Sequence, residues 1–140
     1  RFNVLIALSD EDHVFNDRAH AWLEENGAAG IATCPLTENG LVRVLANPSY
    51  SRSLRLSPQS IIGRLIRFLE AHDHEFWSDD LTLRERAIFR SERILGIRQI
   101  TDVYLLALAM RHEGRLVTFD ANISTSPIPS TKPENLVVIT

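Results

Sequence analysis

The stretch from Thr101 to Asp120 reads TDVYLLALAMRHEGRLVTFD and decides the fold. It predicts a helix that Thr101 caps, that begins at Asp102 and that ends at Gly114, because apolar residues fill it and a glycine closes it. Residues 115–119 then predict a strand, and Asp120 follows that strand directly. A helix rich in apolar residues followed at once by a short apolar strand is typical of an α/β domain.

The same alternation of helices and strands extends towards both ends of the chain. Cys34-Pro35 predicts the start of a helix, because proline is favoured in the first turn, and Asn47-Pro48 predicts its end. Ser57-Pro58 predicts the start of the next helix, with the serine as its cap. The other predicted elements are strands at 30–33, 75–77 and 136–139, a helix that Asp10 or Asp12 caps and that runs to Glu25, and a helix before Leu95.

No internal repeat or linker divides the sequence, so we predict a single domain over residues 1–140 with a parallel sheet. Val4–Leu8 is an apolar run for which strand and buried helix fit the periodicity equally well. Both alternatives stay open for this run on periodicity alone.

The composition is that of an ordinary globular protein, with 44% hydrophobic and 24% charged residues. The single cysteine, Cys34, excludes an internal disulfide and favours a reducing compartment, so we expect a cytoplasmic protein. No apolar run approaches the roughly 20 residues that a membrane-spanning helix needs. The N-terminus also lacks the basic and then apolar layout of a signal peptide.

The net charge of −3 argues against a protein that binds nucleic acid over a broad basic face. A narrow, local basic groove remains compatible with that charge. All of the 15 basic residues except Lys132 are arginines, whose planar guanidinium groups suit two-point contact with phosphate.

Three acidic residues fall at the predicted carboxyl ends of strands, where open parallel sheets bind their ligands. Glu38 lies in the first turn of the helix after strand 30–33, Asp102 opens its helix, and Asp120 follows strand 115–119. If the fold brings them together, the cluster of like charges is unfavourable unless a cation neutralises it or some carboxyls stay protonated. An all-oxygen ligand set suits Mg²⁺ or Mn²⁺ better than Zn²⁺.

Each of these acids also has a purely structural interpretation. Glu38 and Asp102 would be favoured at helix N-termini by the helix dipole, and Asp120 could make a turn with Asn122. The pair of histidines in His72-Asp73-His74 is a much weaker candidate for a metal site, because no third ligand is near in sequence. We expect Cys34 to be a small packed residue and not a nucleophile.

Four stretches resemble the PIN-domain ribonuclease toxins of the VapC type. They are NVLIAL at 3–8, TENGLVR at 37–43, QITDVYLLALA at 99–109, which is the most specific, and LVTFD at 116–120. The resemblance implies a three-layer α/β/α PIN-like domain with a central parallel sheet, and a helix over 3–8. It implies an Mg²⁺- or Mn²⁺-dependent endoribonuclease that cleaves RNA, that a cognate antitoxin neutralises and that forms a homodimer.

By the same resemblance, Glu38, Asp102 and Asp120 are three of the four acids that bind the metal and carry catalysis. Thr118 matches a polar residue common before the last acid. Arg43 matches an arginine on the Glu38 helix, with RNA phosphate as its expected contact. We expect Asn3 to support the metal ligands by hydrogen bonds.

The sequence departs from the family pattern at the fourth acid. The family pattern places an aspartate two residues before Asn3, where this sequence has Arg1, and it places a strand before that aspartate. We therefore expect the first strand to lie upstream of Arg1. The alternative function is a catalytically inactive PIN-like module that binds an antitoxin or RNA without cutting it.

Overall fold

Two segments of the chain, Phe2–Asp79 and Asp80–Thr140, each form a unit of their own in the computed structural model. The structure describes residues 2–50 and 56–140. Arg1 lies outside the described residues. The expectation of a first strand upstream of Arg1 therefore lies outside them too. We call the two segments the N-terminal and C-terminal units and describe each by itself. The prediction of one domain over the whole chain stays a prediction.

The N-terminal unit contains four helices and two strands. They are α1 Phe2–Ser9, α2 Asn16–Asn26, β1 Ile31–Thr33, α3 Pro35–Leu45, α4 Pro58–Glu70 and β2 His74–Phe76. In α3, Thr37 closes the first turn, since its hydroxyl oxygen accepts from the Cys34 N–H and donates to the Cys34 carbonyl, each at 3.0 Å. Ser57 caps α4 as predicted, accepting the Ser60 N–H at 3.1 Å.

The two short strands of this unit run parallel. Ile31 pairs with His74 and Thr33 pairs with Phe76. A hydrophobic core in this unit is formed by α1, α3 and α4, which bury aliphatic side chains together. These are Ile6, Leu41, Leu45, Ile61 and Leu65. The helix over 3–8 implied by the family resemblance is confirmed, because α1 covers those residues.

The predicted start of α2 was wrong. Neither Asp10 nor Asp12 caps it, because α2 begins at Asn16 after a turn in which the Asp10 carboxylate accepts the Asp12 N–H at 3.0 Å. Asp10 instead binds a residue distant in sequence, Tyr50, whose hydroxyl donates to its second carboxylate oxygen at 2.6 Å. Local spacing could not reveal this tertiary use of the carboxylate. The predicted end of this helix near Glu25 is confirmed, because α2 ends at Asn26.

The C-terminal unit contains α5 Ile100–Arg111 and the parallel strands β3 Leu116–Thr118 and β4 Leu136–Val138. Helix α5 is buried on nearly every side, which agrees with its apolar sequence. Thr101 is not its cap but a residue of its first turn. The helical backbone starts early because the 3-10 turn Ile97–Gln99 leads directly into α5.

The predicted helix before Leu95 was also wrong. Between β2 and α5 the chain forms turns and two short 3-10 turns, with no α-helix over residues 77–99. Phe89 is the one residue of this stretch that is fully buried, so no apolar stripe favours a helix. The Arg90 N–H donates to the Pro127 carbonyl at 2.7 Å and so is not available for a helical hydrogen bond.

The structure confirms the α/β class and the parallel strand pairing. In the described residues, β1 pairs with β2 and β3 pairs with β4, one pair in each unit. Of the helices over residues 2–50 and 56–140, none combines the length and apolarity needed to cross a lipid bilayer.

The end of α5 is a Schellman motif with an unusual residue in it. The Gly114 N–H donates to the Ala109 carbonyl at 2.7 Å, and the Glu113 N–H donates to the Met110 carbonyl at 3.1 Å. The residue with left-handed backbone is Glu113, at φ 57°, and not the glycine predicted to end the helix. A residue with a Cβ is disfavoured in this conformation.

We predict that Glu113→Gly stabilises the protein by about 1 kcal/mol, because glycine adopts the left-handed conformation without a steric cost. Urea unfolding followed by circular dichroism measures the change in the free energy of unfolding. Glu113→Ala is the matched control, since it removes the carboxylate and keeps the Cβ. Equal stabilisation by alanine would show that charge, and not backbone strain, sets the effect.

The hydrogen bond between Tyr50 and Asp10 should make stability depend on alkaline pH. Burial of the phenol raises the pKa of Tyr50 above its usual value near 10, and the hydrogen bond to Asp10 and its negative charge add to this. The unfolded tyrosine therefore loses its proton at a lower pH than the folded one. The stabilisation is fully present below about pH 10 and is lost as the pH rises towards the folded pKa.

We predict that Tyr50→Phe lowers the free energy of unfolding by about 1–2 kcal/mol at neutral pH, because the hydroxyl donates to a carboxylate. Above pH 10 the difference between wild type and variant should shrink. Urea unfolding at a series of pH values measures both effects. A difference that stays constant up to pH 11 would contradict the coupling.

Candidate functional site

The Glu38 side chain is held by the last residue of the preceding strand. Glu38 lies in the first turn of α3 and is half-buried, and Thr33 ends β1 and is only 3% exposed. The Thr33 hydroxyl donates to Glu38 Oε2 at 2.5 Å. A buried hydroxyl with a fixed direction therefore orients the carboxylate at the carboxyl end of the strand.

His74 completes this arrangement from the neighbouring strand. Its Nε2 lies 2.7 Å from the Thr33 hydroxyl oxygen. Ile31 pairs with His74 across the sheet, and alternate residues of a strand share a face, so Thr33 and His74 lie on the same face. A hydroxyl has one proton, and Thr33 gives it to Glu38. His74 must therefore donate, and its Nε2 carries a proton.

Sequence reasoning did not identify Thr33 or His74 as members of the site. The structure separates the two histidines of His72-Asp73-His74, because His72 Nδ1 contacts the Phe68 carbonyl oxygen at 2.7 Å and only His74 lies in β2. The available signal was the position of Thr33 as the last strand residue before Cys34-Pro35. Its partner on β2 depends on strand pairing, which the sequence alone does not reveal.

The N-terminus of α3 is capped by a residue distant in sequence. Asp79 Oδ2 accepts the Leu36 N–H at 3.1 Å. Burial raises the pKa of the Cys34 thiol, hydrogen bonds with Thr37 lower it, and Asp79 raises it further. A raised pKa keeps Cys34 in its neutral thiol form, which agrees with its interpretation as a packed residue.

In the C-terminal unit, Thr118 plays a related part for Asp120. Thr118 ends β3 and is 0% exposed, and its hydroxyl oxygen accepts the Asp120 N–H at 3.0 Å. Asp120 Oδ1 accepts the Asn122 N–H at 2.8 Å, so the turn considered as a structural interpretation is present. This turn fixes the orientation of the carboxylate at the end of the strand.

Asp102 is the most buried of the three acids. It lies in the first turn of α5 and is 5% exposed, between the apolar residues of that helix. A carboxylate in such surroundings is stable only if positive charge or hydrogen-bond donors compensate for the lost water. The positive end of the α5 dipole contributes part of this compensation.

Asn3 and Arg43 lie on helices of the N-terminal unit. Asn3 is half-buried near the start of α1. Arg43 is exposed in the last turn of α3, where a cation is favoured by the helix dipole. Arg43 follows Glu38 by five positions in α3. At about 100° per residue, the two side chains are about 140° apart around the helix axis. Arg43 therefore presents its charge away from the Glu38 side of the helix.

The donor chemistry of the candidate residues fits a hard divalent cation. Carboxylate oxygens of the type offered by Glu38, Asp102 and Asp120 are ligands that Mg²⁺ and Mn²⁺ prefer. Within the described part of each unit, no group of three His, Cys, Asp or Glu side chains could by itself hold a metal ion. Convergence of the three acids on one cation stays a prediction.

The PIN-domain model matches residues 3–126, which include all three candidate acids. The chain belongs to the PIN-domain family. The resemblance to VapC-type PIN domains, inferred from four motifs, is thereby confirmed, and so is the PIN-like α/β fold class.

Individual PIN-domain proteins are similar to this chain over nearly all of its length. It is 38% identical to Ribonuclease VapC44 of Mycobacterium tuberculosis over 137 residues, which cover 98% of this chain and 95% of that protein. It is 38% identical to Ribonuclease VapC39 of the same organism, over 89% of this chain and 88% of that protein. It is 37% identical to Ribonuclease VapC38, over 98% and 96%.

We predict that Thr33→Val in this PIN domain lowers the free energy of unfolding by about 1.5–3 kcal/mol, because a hydrogen bond to a carboxylate is lost without a change in side-chain volume. Thr33→Ser keeps the hydroxyl and is the matched control. The ¹⁵N chemical shifts of His74 provide a second measurement. They should show a protonated Nε2 in the wild type and in Thr33→Ser, and a wild-type Nε2 without a proton would contradict the assigned hydrogen bonds.

Proposed function

We propose that this chain is a divalent-metal-dependent endoribonuclease, the toxin of a type II toxin–antitoxin pair. The similarity to proteins named Ribonuclease VapC over up to 98% of the chain is the observation that supports this most strongly. The candidate acids add independent support, because each lies at a strand end or a helix start with carboxylate chemistry suited to Mg²⁺ or Mn²⁺.

In this proposal the residues Glu38, Asp102 and Asp120 hold the cation. A bound divalent ion lowers the pKa of a water molecule and offsets negative charge on a phosphodiester. Thr33 keeps the Glu38 carboxylate oriented, and Thr118 keeps the backbone of Asp120 in place. A carboxylate that is not engaged with the ion is the group available to accept the proton of an attacking water.

Asn3 and Arg43 have supporting roles in this proposal. Asn3 supports the acids through hydrogen bonds, and Arg43 contacts an RNA phosphate outside the Glu38 side of α3. Guanidinium groups suit such contacts because their planar donors match phosphate oxygens. We further propose that the protein acts in the cytoplasm, forms a homodimer and is neutralised by a cognate antitoxin protein.

We predict that Asp102→Asn lowers the rate of RNA cleavage by about 100-fold or more, since even residues behind a metal ligand typically contribute 10- to 100-fold. Asp120→Asn and Glu38→Gln should act in the same direction, and chelation of divalent ions should abolish cleavage. A labelled single-stranded RNA with Mg²⁺ and denaturing gel electrophoresis provides the measurement. Asp17→Asn, an exposed acid in the first turn of α2, is the matched control.

Calorimetric titration with Mn²⁺ tests the site without relying on activity. Affinity should fall in Asp102→Asn and stay unchanged in Asp17→Asn. Cleavage that persists in Asp102→Asn or survives chelation would overturn the proposal. A wild-type protein that binds RNA or antitoxin and cleaves nothing would favour the alternative of a non-cutting PIN-like module.

A further inference from the structure

Positive charge is concentrated in one segment of an otherwise acidic chain. Residues 84–98, which we call the arginine segment, contain five arginines and two glutamates and have a formal charge of +3. The whole chain has a net charge of −3, so the remaining residues together have a charge of −6. A polyanion is therefore repelled by most of this protein and attracted by this segment.

The arginine segment is fixed to the rest of its unit although it forms no α-helix or strand. Phe89 is fully buried. The Arg90 N–H donates to the Pro127 carbonyl at 2.7 Å, and Arg93 Nη1 donates to the Ser126 carbonyl at 3.1 Å. The Leu95 N–H donates to Gln99 Oε1 at 2.6 Å. Such anchoring lowers the entropy cost of binding a ligand along the segment.

Three arginines of the segment keep their charge available. Arg84, Arg86 and Arg98 are exposed, and no carboxylate within residues 80–140 forms an ion pair with any of them. The ion pair described in this unit joins Arg111 and Asp80 instead, at 3.5 Å. The three guanidinium groups can therefore contact phosphates without first giving up a partner in their own unit.

The segment leads directly into the helix that carries Asp102. Arg98 lies in the 3-10 turn before α5, four residues from that acid. Leu95 and Ile97 in the same stretch are 85% and 86% exposed. Apolar side chains next to arginines suit single-stranded nucleic acid, whose unstacked bases offer apolar faces beside a charged backbone.

We propose that the arginine segment is the surface that binds single-stranded RNA, with Arg84, Arg86 and Arg98 on its phosphates and Leu95 and Ile97 against its bases. The proposal rests on the proposed function in that RNA is the substrate class. It adds the place where the RNA is held before it reaches the acids. It also explains how a chain with a net charge of −3 binds a polyanion.

The test measures RNA binding separately from cleavage. The full chain is titrated against a fluorescein-labelled single-stranded RNA about 20 nucleotides long, longer than a typical single-strand site. EDTA prevents cleavage, and anisotropy is recorded from about 50 to about 200 mM salt. The variants are a triple Arg→Gln change at 84, 86 and 98, and the same change at the exposed arginines 64, 67 and 115 as a charge-matched control.

We expect the Arg84, Arg86 and Arg98 variant to lose on the order of tenfold or more in affinity, and the slope of log affinity against log salt to fall by about 2, since each lost contact with a single strand contributes roughly 0.7. The charge-matched control should bind nearly as the wild type does. A triple Arg→Lys variant at the three positions keeps the charge and should keep the salt slope. Thermal unfolding confirms that the variants are folded.

The outcomes separate this inference from the proposed function. If the wild type cleaves RNA and both triple Gln variants bind RNA equally well, the inference is overturned and the proposed function stands. If RNA binding depends on the arginine segment and no cleavage occurs, the inference stands and the endoribonuclease fails. If the Arg84, Arg86 and Arg98 variant loses binding to a protein partner or to anionic lipid vesicles and keeps its RNA affinity, the segment serves another ligand and the inference is overturned.

Discussion

A buried threonine at the end of a strand is the constraint on which a candidate acid depends in each of the two units. Thr33 ends β1 and donates to the Glu38 carboxylate, and Thr118 ends β3 and accepts from the Asp120 N–H. The Thr33 hydroxyl orients the Glu38 carboxylate, the Thr118 hydroxyl holds the Asp120 backbone, and neither adds charge. His74 fixes the direction of the Thr33 proton from the neighbouring strand, which extends the constraint to the pairing of β1 with β2.

The positions of the acids could be predicted from the sequence because they depend on local rules. Glu38 lies in the first turn of the helix that follows β1, and Asp120 follows β3 directly, as strand ends and helix starts in the sequence predict. The orientation of their side chains depends instead on residues distant in sequence, such as His74 for Glu38 and Asp79 for the start of α3. No periodicity in the chain indicates these partners, so sequence reasoning missed them.

The elements that were predicted wrongly share one physical cause. Asp10 has the residue type of a helix cap, but its carboxylate is used by Tyr50, which lies 40 residues away. The stretch before Leu95 has the composition of a helix, but the Arg90 N–H binds the carbonyl of Pro127. Helix propensity differs by less than about 1 kcal/mol between ordinary residues, which one tertiary hydrogen bond can offset. Helices such as α3 and α5 were predictable because long apolar patterns and their burial act together.

Burial also gives different surroundings to two opposite charges that are close in sequence in the C-terminal unit. Asp102 is 5% exposed within α5, whereas Arg98, one helical turn earlier in sequence, is exposed to solvent and forms no ion pair within residues 80–140. Water and salt screen the charge of the exposed guanidinium, which weakens its attraction to the buried carboxylate. In the proposed function the buried acid binds a small, hard cation, and the exposed arginine contacts phosphate. Net charge averaged over the chain hides this division, because it depends on which charges are buried.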